Sequence, residues 1–277
     1  MVTRISPAKA VVTGGVQSLN TGSRRQVRSL PPVNAEPTSP LEGATIVVLG
    51  GTSGLGLATA ELAVARGAGR VVIGGRDRDR LAAALALLGP TAEGRQVDGS
   101  GEAAIKDFLT GIGPFDHLLV TPSKLVPTAV VDADADAVRP AMDLRFWAAF
   151  HASRHAAPLL RPDGSITLMS GIAGTRPMAR EAVAGASCAA VEALMRSLVS
   201  ELAPIRCNVL SPGYVDTPLL DGFFGAARDT KVAAIAGQLP GRRIGSPAEV
   251  ADAALFLMGN HYMNGHVLTI DGGHTLV

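Results

Sequence analysis

The sequence predicts an α/β fold, a doubly wound sheet of seven parallel strands with helices on both faces. Two observations carry this prediction. From Ala44 onward, short β-branched runs alternate with longer Ala- and Leu-rich stretches of helical pattern. The runs are also apolar throughout rather than at every second position, as expected of strands covered on both sides. Strands of that kind need helical crossovers between them, so the chain reads as successive βαβ units.

In chain order the strands are "ATIVVLG", "RVVIGG", "RQVD", "DHLLVT", "SITLMS", "IRCNVLSPG" and "HVLTIDGG". No internal repeat is visible and no Pro/Gly-rich linker interrupts Ala44 to Val277, so residues 41–277 are expected to form one domain. Residues 1–40 differ in kind, mixing Ser, Pro, Gly and Arg without a sustained period, and are expected to be a disordered extension. Up to Ala35 they carry Arg4, Lys9, Arg24, Arg25 and Arg28 and no acid, a composition that organelle transit peptides share.

The composition narrows the classes of function. Of 277 residues, 47% are apolar and 18% charged, with a net charge of +1, which suits a globular domain and argues against a nucleic-acid or acidic-lipid partner. No uninterrupted apolar run reaches the roughly 18 residues of a membrane span. A small-molecule ligand and a cytoplasmic location are the expectation. The two cysteines, Cys188 and Cys207, have no metal-type spacing and are too few for a disulfide framework. Both read as small apolar residues.

The first strand runs into "LGGTSGLGLATAELAVARG", which has the order strand, glycine-rich turn, helix of a dinucleotide site. Gly50 permits the turn, Gly54 lets backbone N–H groups approach a diphosphate, and Gly56 allows close helix packing. Thr52, Ser53 and Leu55 complete this cofactor-binding loop. At the end of the second strand, "VVIGGRDRDRL" places Gly75 where a NAD site carries an acid, followed by Arg76. Without the acid, a 2′-phosphate is not repelled, and a guanidinium can pair with it, so NADP is the expected cofactor. The alternative for Arg76 is a solvated loop charge. Asp98, ending the third strand in "RQVDGS", is placed either to accept from the adenine amine or to cap the helix that follows.

These segments, with "NVLSPGYVDTPL", "RIGSPAEVADAALFLM" and "GHVLTIDGG", resemble the short-chain dehydrogenase/reductase superfamily in order and spacing over residues 42–277. The resemblance implies a Rossmann-like domain in which Val215 borders the nicotinamide carboxamide and Thr217 the diphosphate. It also implies a homodimer or homotetramer.

The family's proton chemistry uses an Asn, a Ser, a Tyr and a Lys, the Lys lowering the Tyr pKa. In this chain the Tyr-x-x-x-Lys positions fall on Ala184 and Cys188, the Ser on Gly171 with Ser170 next door, and the Asn on Arg145. The usual "NNAG" turn reads "VTPSK", Val120 to Lys124. The only tyrosines, Tyr214 and Tyr262, lie elsewhere. Cys188 is then either a nucleophile or a helix-packing residue.

Arg145, Glu181 and Lys124 remain as candidate catalytic residues. In this the chain is similar to a narrower group, reductases of fungal bicyclo-diazaoctane indole alkaloid pathways, some of them also Diels–Alderases. These keep the NADP site, lose the tetrad and use an Arg with an acid, which would be Arg145 and Glu181. They carry a Trp at the Tyr position, where this chain has Ala184. Trp147 is either a substitute for it or a core residue. An iminium substrate needs no proton on a developing oxyanion, so Glu181 can stabilise the cation while Arg145 orients a carbonyl or shuttles a proton. The alternative for both is a surface salt bridge. The leading reading is an NADPH-dependent oxidoreductase of specialised metabolism acting on a reactive C=N, C=C or C=O bond. A non-redox cyclase or isomerase that retains NADP and a catalytically silent NADP-binding protein are the alternatives.

Overall fold

The computed structural model describes residues 39–176 and 178–277. The expected extension over residues 1–40 lies outside the described residues except for Ser39 and Pro40. The described residues belong to one compact unit that reaches Val277. Its strands are β1 (Thr45–Leu49), β2 (Arg70–Gly75), β3 (Ala92–Gln96), β4 (Phe115–Val120), β5 (Leu160–Met169), β6 (Arg206–Pro212) and β7 (Val267–Ile270). They form one parallel sheet in the order β3-β2-β1-β4-β5-β6-β7.

The predicted two-sided burial is visible within β1. Val47 and Leu49 face one apolar layer, Ile46 and Val48 the other, and all are at most 2% exposed. On the first side lie α3 (Glu102–Thr110), α5 (Ala148–Ala156) and α6 (Ala182–Glu201), which contribute Phe108, Ala152 and Met195. On the other lie α1 (Gly54–Ala65), α2 (Arg78–Leu88) and α9 (Pro247–Gly259), with Ala60, Leu81 and Leu257. By length and apolarity α6 could cross a membrane, yet its Val191, Met195 and Leu198 are packed into the core of this domain.

The third strand begins three residues before the expected "RQVD". Val71 pairs with Ala92 and Gly75 with Gln96. It is the sheet's edge, only half-covered, so its sequence AEGRQ lacks the apolar run that marked the inner strands.

Strand order reverses between β1 and β4, since the chain goes from β1 outward to β2 and β3 before returning to β4. The carboxyl ends of the strands at this switch leave a crevice that helices cannot close. Thr121 ties its floor, its hydroxyl shared between the carbonyls of Leu49 at 3.0 Å and Gly50 at 3.1 Å. The far side of the crevice is lined by a π-helical turn (Asp143–Trp147), which continues α4 (Ala135–Met142), and by α7 (Pro218–Phe224), which precedes α8 (Arg228–Gln238).

Candidate active site

A cleft of about 420 Å³ opens at this switch point and runs from the glycine-rich turn to the start of α6. At one end are Gly50, Thr52, Ser53, Gly54, Leu55 and Gly56, all lining it. The first backbone bond of the α1 region runs from Leu57 N–H to Ser53 O, so the N–H groups of Gly54, Leu55 and Gly56 have no partner within the helix. The Ser53 side chain does not cap them and the first turn holds no acid. A Cβ on Gly56 would collide with the Gly50 carbonyl, which is why the helix can start this close to the strand. These unclaimed donors and the partial positive charge of the helix end fit an anionic diphosphate.

Thr217, 9% exposed, stands at the residue before α7 without a side-chain cap bond and brings its methyl within 3.6 Å of where a Gly54 Cβ would lie. The start of α7 therefore faces the same loop. Val215 bridges to Gly245: Gly245 N–H donates to Tyr214 O and Asp216 N–H to Gly245 O, both at 2.9 Å. That pairing uses the groups on either side of Val215 and turns its own N–H the other way, where Val215 lines the cleft.

At the far side of β2, Arg76 lines the cleft and makes no ion pair among the described residues. Arg80, one helical turn further along, lines it too, although sequence reasoning did not single it out. Asp98 does not line the cleft. Its carboxylate accepts from Ser100 N–H at 2.9 Å and Ser100 Oγ at 2.8 Å, and these bonds, aided by nearby Arg76, hold its pKa below the usual aspartate range.

At the opposite end the π-helical turn places Arg145, 6% exposed, against the end of β5. Its Nη1 donates to Ser170 O at 2.9 Å and to Cys188 Sγ at 3.1 Å, while Nε is buried without a partner. No carboxylate pairs with it among the described residues. Glu181, the residue preceding α6, lines the same cleft, makes no ion pair among the described residues, and has its carboxyl pKa raised by burial. Ser170 donates its hydroxyl to Glu192 Oε1 at 2.8 Å and is committed there. Gly171, Ala184 and Cys188 also line the cleft, so the stretch that carries them forms its wall.

The structure thus gathers Arg145, Glu181, Arg76, Val215, Thr217 and the glycine-rich turn, Gly51 excepted, into one cleft. It leaves out two of the expected residues: Asp98, engaged by Ser100, and Lys124, which is exposed while its neighbours Ser123 and Leu125 line the cleft. Trp147 takes neither of its expected roles. It is 45% exposed, does not line the cleft, and stacks on His151 with ring centroids 5.8 Å apart. Tyr214, by contrast, does line the cleft.

Comparison with known proteins agrees with this geometry. A family model described as enoyl-(acyl carrier protein) reductase matches residues 50–275. The short-chain dehydrogenase/reductase ucsE of Acremonium sp is 34% identical over 252 residues, which span 84% of this chain and 96% of that protein. Among solved structures, the MalC reductase/Diels-Alderase from Malbranchea aurantiaca superposes with a TM-score of 0.80 at 28% identity, covering 87% of this chain and 99% of that one. A small-chain dehydrogenase in complex with NADPH does so with a TM-score of 0.72 at 33% identity, covering 85% and 100%.

Proposed function

This chain belongs to the short-chain dehydrogenase/reductase superfamily, and from that premise we propose that it is an NADPH-dependent oxidoreductase of a small specialised metabolite. Its bond of choice is one already electrophilic, a C=N, or an activated C=C or C=O, reduced without a tyrosine–lysine pair. The observation that carries this reading is that Arg145 and Glu181 open on the same cleft as the glycine-rich turn, and neither is neutralised by an ion pair among the described residues. A buried guanidinium with an orphaned Nε is costly in a merely structural role.

In this reading residues 41–277 act as one cytoplasmic domain within a homodimer or homotetramer. The N–H groups that open α1, with Thr217, hold the diphosphate; Arg76 holds the 2′-phosphate; and the Val215 N–H meets the carboxamide. When bound, the cofactor supplies a hydride. Glu181 stabilises positive charge on a substrate nitrogen, and Arg145 orients a substrate oxygen. Lys124, outside the cleft, takes no part in the chemistry of this reading, and Asp98 serves its turn.

The test follows NADPH absorbance with two panels, cyclic imines and simple ketones. Imine reduction with inert ketones is the expected result. Ketone turnover at several per second or more, the ordinary range for enzymes, would sink the proposal.

The likeness to a solved reductase/Diels-Alderase favours a second reading, in which the same cleft positions a reactive substrate for ring closure and NADP acts only as a charged wall. Ring-closed product formed with NADP⁺ in place of NADPH separates the two.

A further inference from the structure

The core holds one carboxylate that neither reading uses. Glu192 is 6% exposed, in the middle of α6, whose other buried side chains are small or apolar. Burying a carboxylate is costly unless a charge of opposite sign answers it. Its ion pair among the described residues is with Arg196 at 3.9 Å, a side chain 62% exposed, and a pair so long and so wet contributes little. The bond from Ser170 Oγ at 2.8 Å accounts for an acceptor at this position but not for a charge, since a glutamine would accept it too.

The answering charge lies on the other side of Ser170. That residue donates its hydroxyl to Glu192 and offers its carbonyl to Arg145 Nη1 at 2.9 Å, so it joins carboxylate to guanidinium. Cys188 joins them a second time: its Sγ meets Nη1 at 3.1 Å, and its carbonyl lies 3.4 Å from Ser170 Oγ. The sequence spacing supplies this arrangement. Ala184, Cys188 and Glu192 recur at every fourth position, so they share one face of α6, which starts at the cleft wall with Ala184 and continues into the core. Burial dominates the raised pKa of the Cys188 thiol, but Arg145 draws it down and Glu192 pushes it up, so both charges are felt at that sulfur. Arg145 and Glu192 form no direct ion pair among the described residues. We propose that Glu192 is a positioning residue, whose buried negative charge, acting across Ser170 and Cys188, holds Arg145 at the cleft wall without covering it. A direct pair would occupy donors that a substrate needs; a carboxylate set one residue back offsets the burial of the cation and occupies none of them. The proposal rests on the reading of Arg145 as the group that orients substrate, and it adds the residue that keeps it in place.

The test reads Arg145 itself. In protein with isotope-labelled arginine, the Nε–H resonance of Arg145 is the one that Arg145→Met lacks. Two variants divide charge from hydrogen bond: Glu192→Gln keeps an acceptor for Ser170 and removes the charge, whereas Glu192→Asp keeps the charge and draws back from Ser170. Glu192→Gln should move the Arg145 resonance and speed its exchange with solvent by about 2- to 100-fold, the range of coupling within one polar network. Glu192→Asp should speed it less, and neither variant should change NADPH affinity. An Arg145 resonance and exchange unaltered in Glu192→Gln, or disturbed more by Asp than by Gln, overturns the proposal, because Glu192 then serves only as an acceptor for Ser170. A second measurement stands if Glu192→Gln alone fails to fold. In Arg145→Met the buried carboxylate has lost its answering charge, so adding Glu192→Gln there should raise stability in urea; no gain, or a loss, overturns the proposal. These readouts report where Arg145 is held, not what it does. Unchanged turnover in Arg145→Met would therefore remove the catalytic reading of Arg145 and leave its attachment to Glu192 standing.

Discussion

The Nη1 of Arg145 lies 3.1 Å from the Sγ of Cys188. Burial raises the Cys188 thiol pKa and the guanidinium only partly offsets it, so the sulfur stays a neutral thiol. A thiolate would have cancelled the positive charge that faces the cleft; a thiol bonds to it and leaves it whole. Buried and in contact with Nη1, the Cys188 side chain packs against Arg145.

Thiol chemistry checks this directly. With Cys188 1% exposed and Cys207 0% exposed, neither should react with an alkylating reagent in the native protein near neutral pH, and both should do so in denaturant. Rapid native labelling of Cys188 would show a thiolate in the cleft.

Charge removal at the catalytic end should separate turnover from cofactor binding. Glu181→Gln and Arg145→Met are each expected to lower turnover on the true substrate by about 10- to 100-fold, the scale of a charged hydrogen bond, with little change in NADPH affinity. Their double variant should lose less than the product of the two, because both act on one bound molecule. Full activity in both single variants would return them to a structural role.

The pH profile carries the sign of the Glu181 shift. Burial raises its carboxyl pKa, so activity that needs the carboxylate should climb as pH rises through that raised value, and this acid limb should flatten in Glu181→Gln. Stability runs the other way. A raised folded pKa means that protonation favours the fold, and that contribution is lost as pH rises through it. Glu181→Gln should therefore melt higher than the unmodified chain at neutral pH.

Nucleotide choice should follow the arginines beside β2. NADPH is expected to bind more tightly than NADH, and Arg76→Ala to narrow the gap by about 1 to 2 kcal/mol. Arg80→Ala should narrow it further, since Arg80 lines the same end of the cleft. Fluorescence titration of both nucleotides decides the matter, and equal affinities in the unmodified protein would refute it.

Much of this architecture is legible before any coordinates. The inner strands announce themselves because burial on both faces demands uninterrupted apolar runs, and the turn from Gly50 to Gly56 is read from its place between a run and a helix. The edge strand is less legible because Arg95 and Gln96 face solvent. The π-helical turn at Arg145 is an extra residue in a helix, which periodicity does not register. Tyr214 was hidden for a different reason. It sits in a loop whose position depends on a bridge to Gly245 and on rings from α7 and the last helical turn, all contributed by other parts of the chain. Asp98 shows the converse, since motif position placed it near the cleft while its bonds to Ser100 engage it in its own turn.

The contact between Gly75 and Thr52 has an evolutionary consequence. A Cβ at position 75 would fall inside the van der Waals shell of the Thr52 side chain. An acid there, the usual device for gripping a ribose, would require the Thr52 side chain in the glycine-rich turn to shift. A side chain longer than hydrogen at position 75 therefore requires Thr52 to move or to shrink. Positions 52 and 75, far apart in sequence, are thus constrained as a pair by one van der Waals contact.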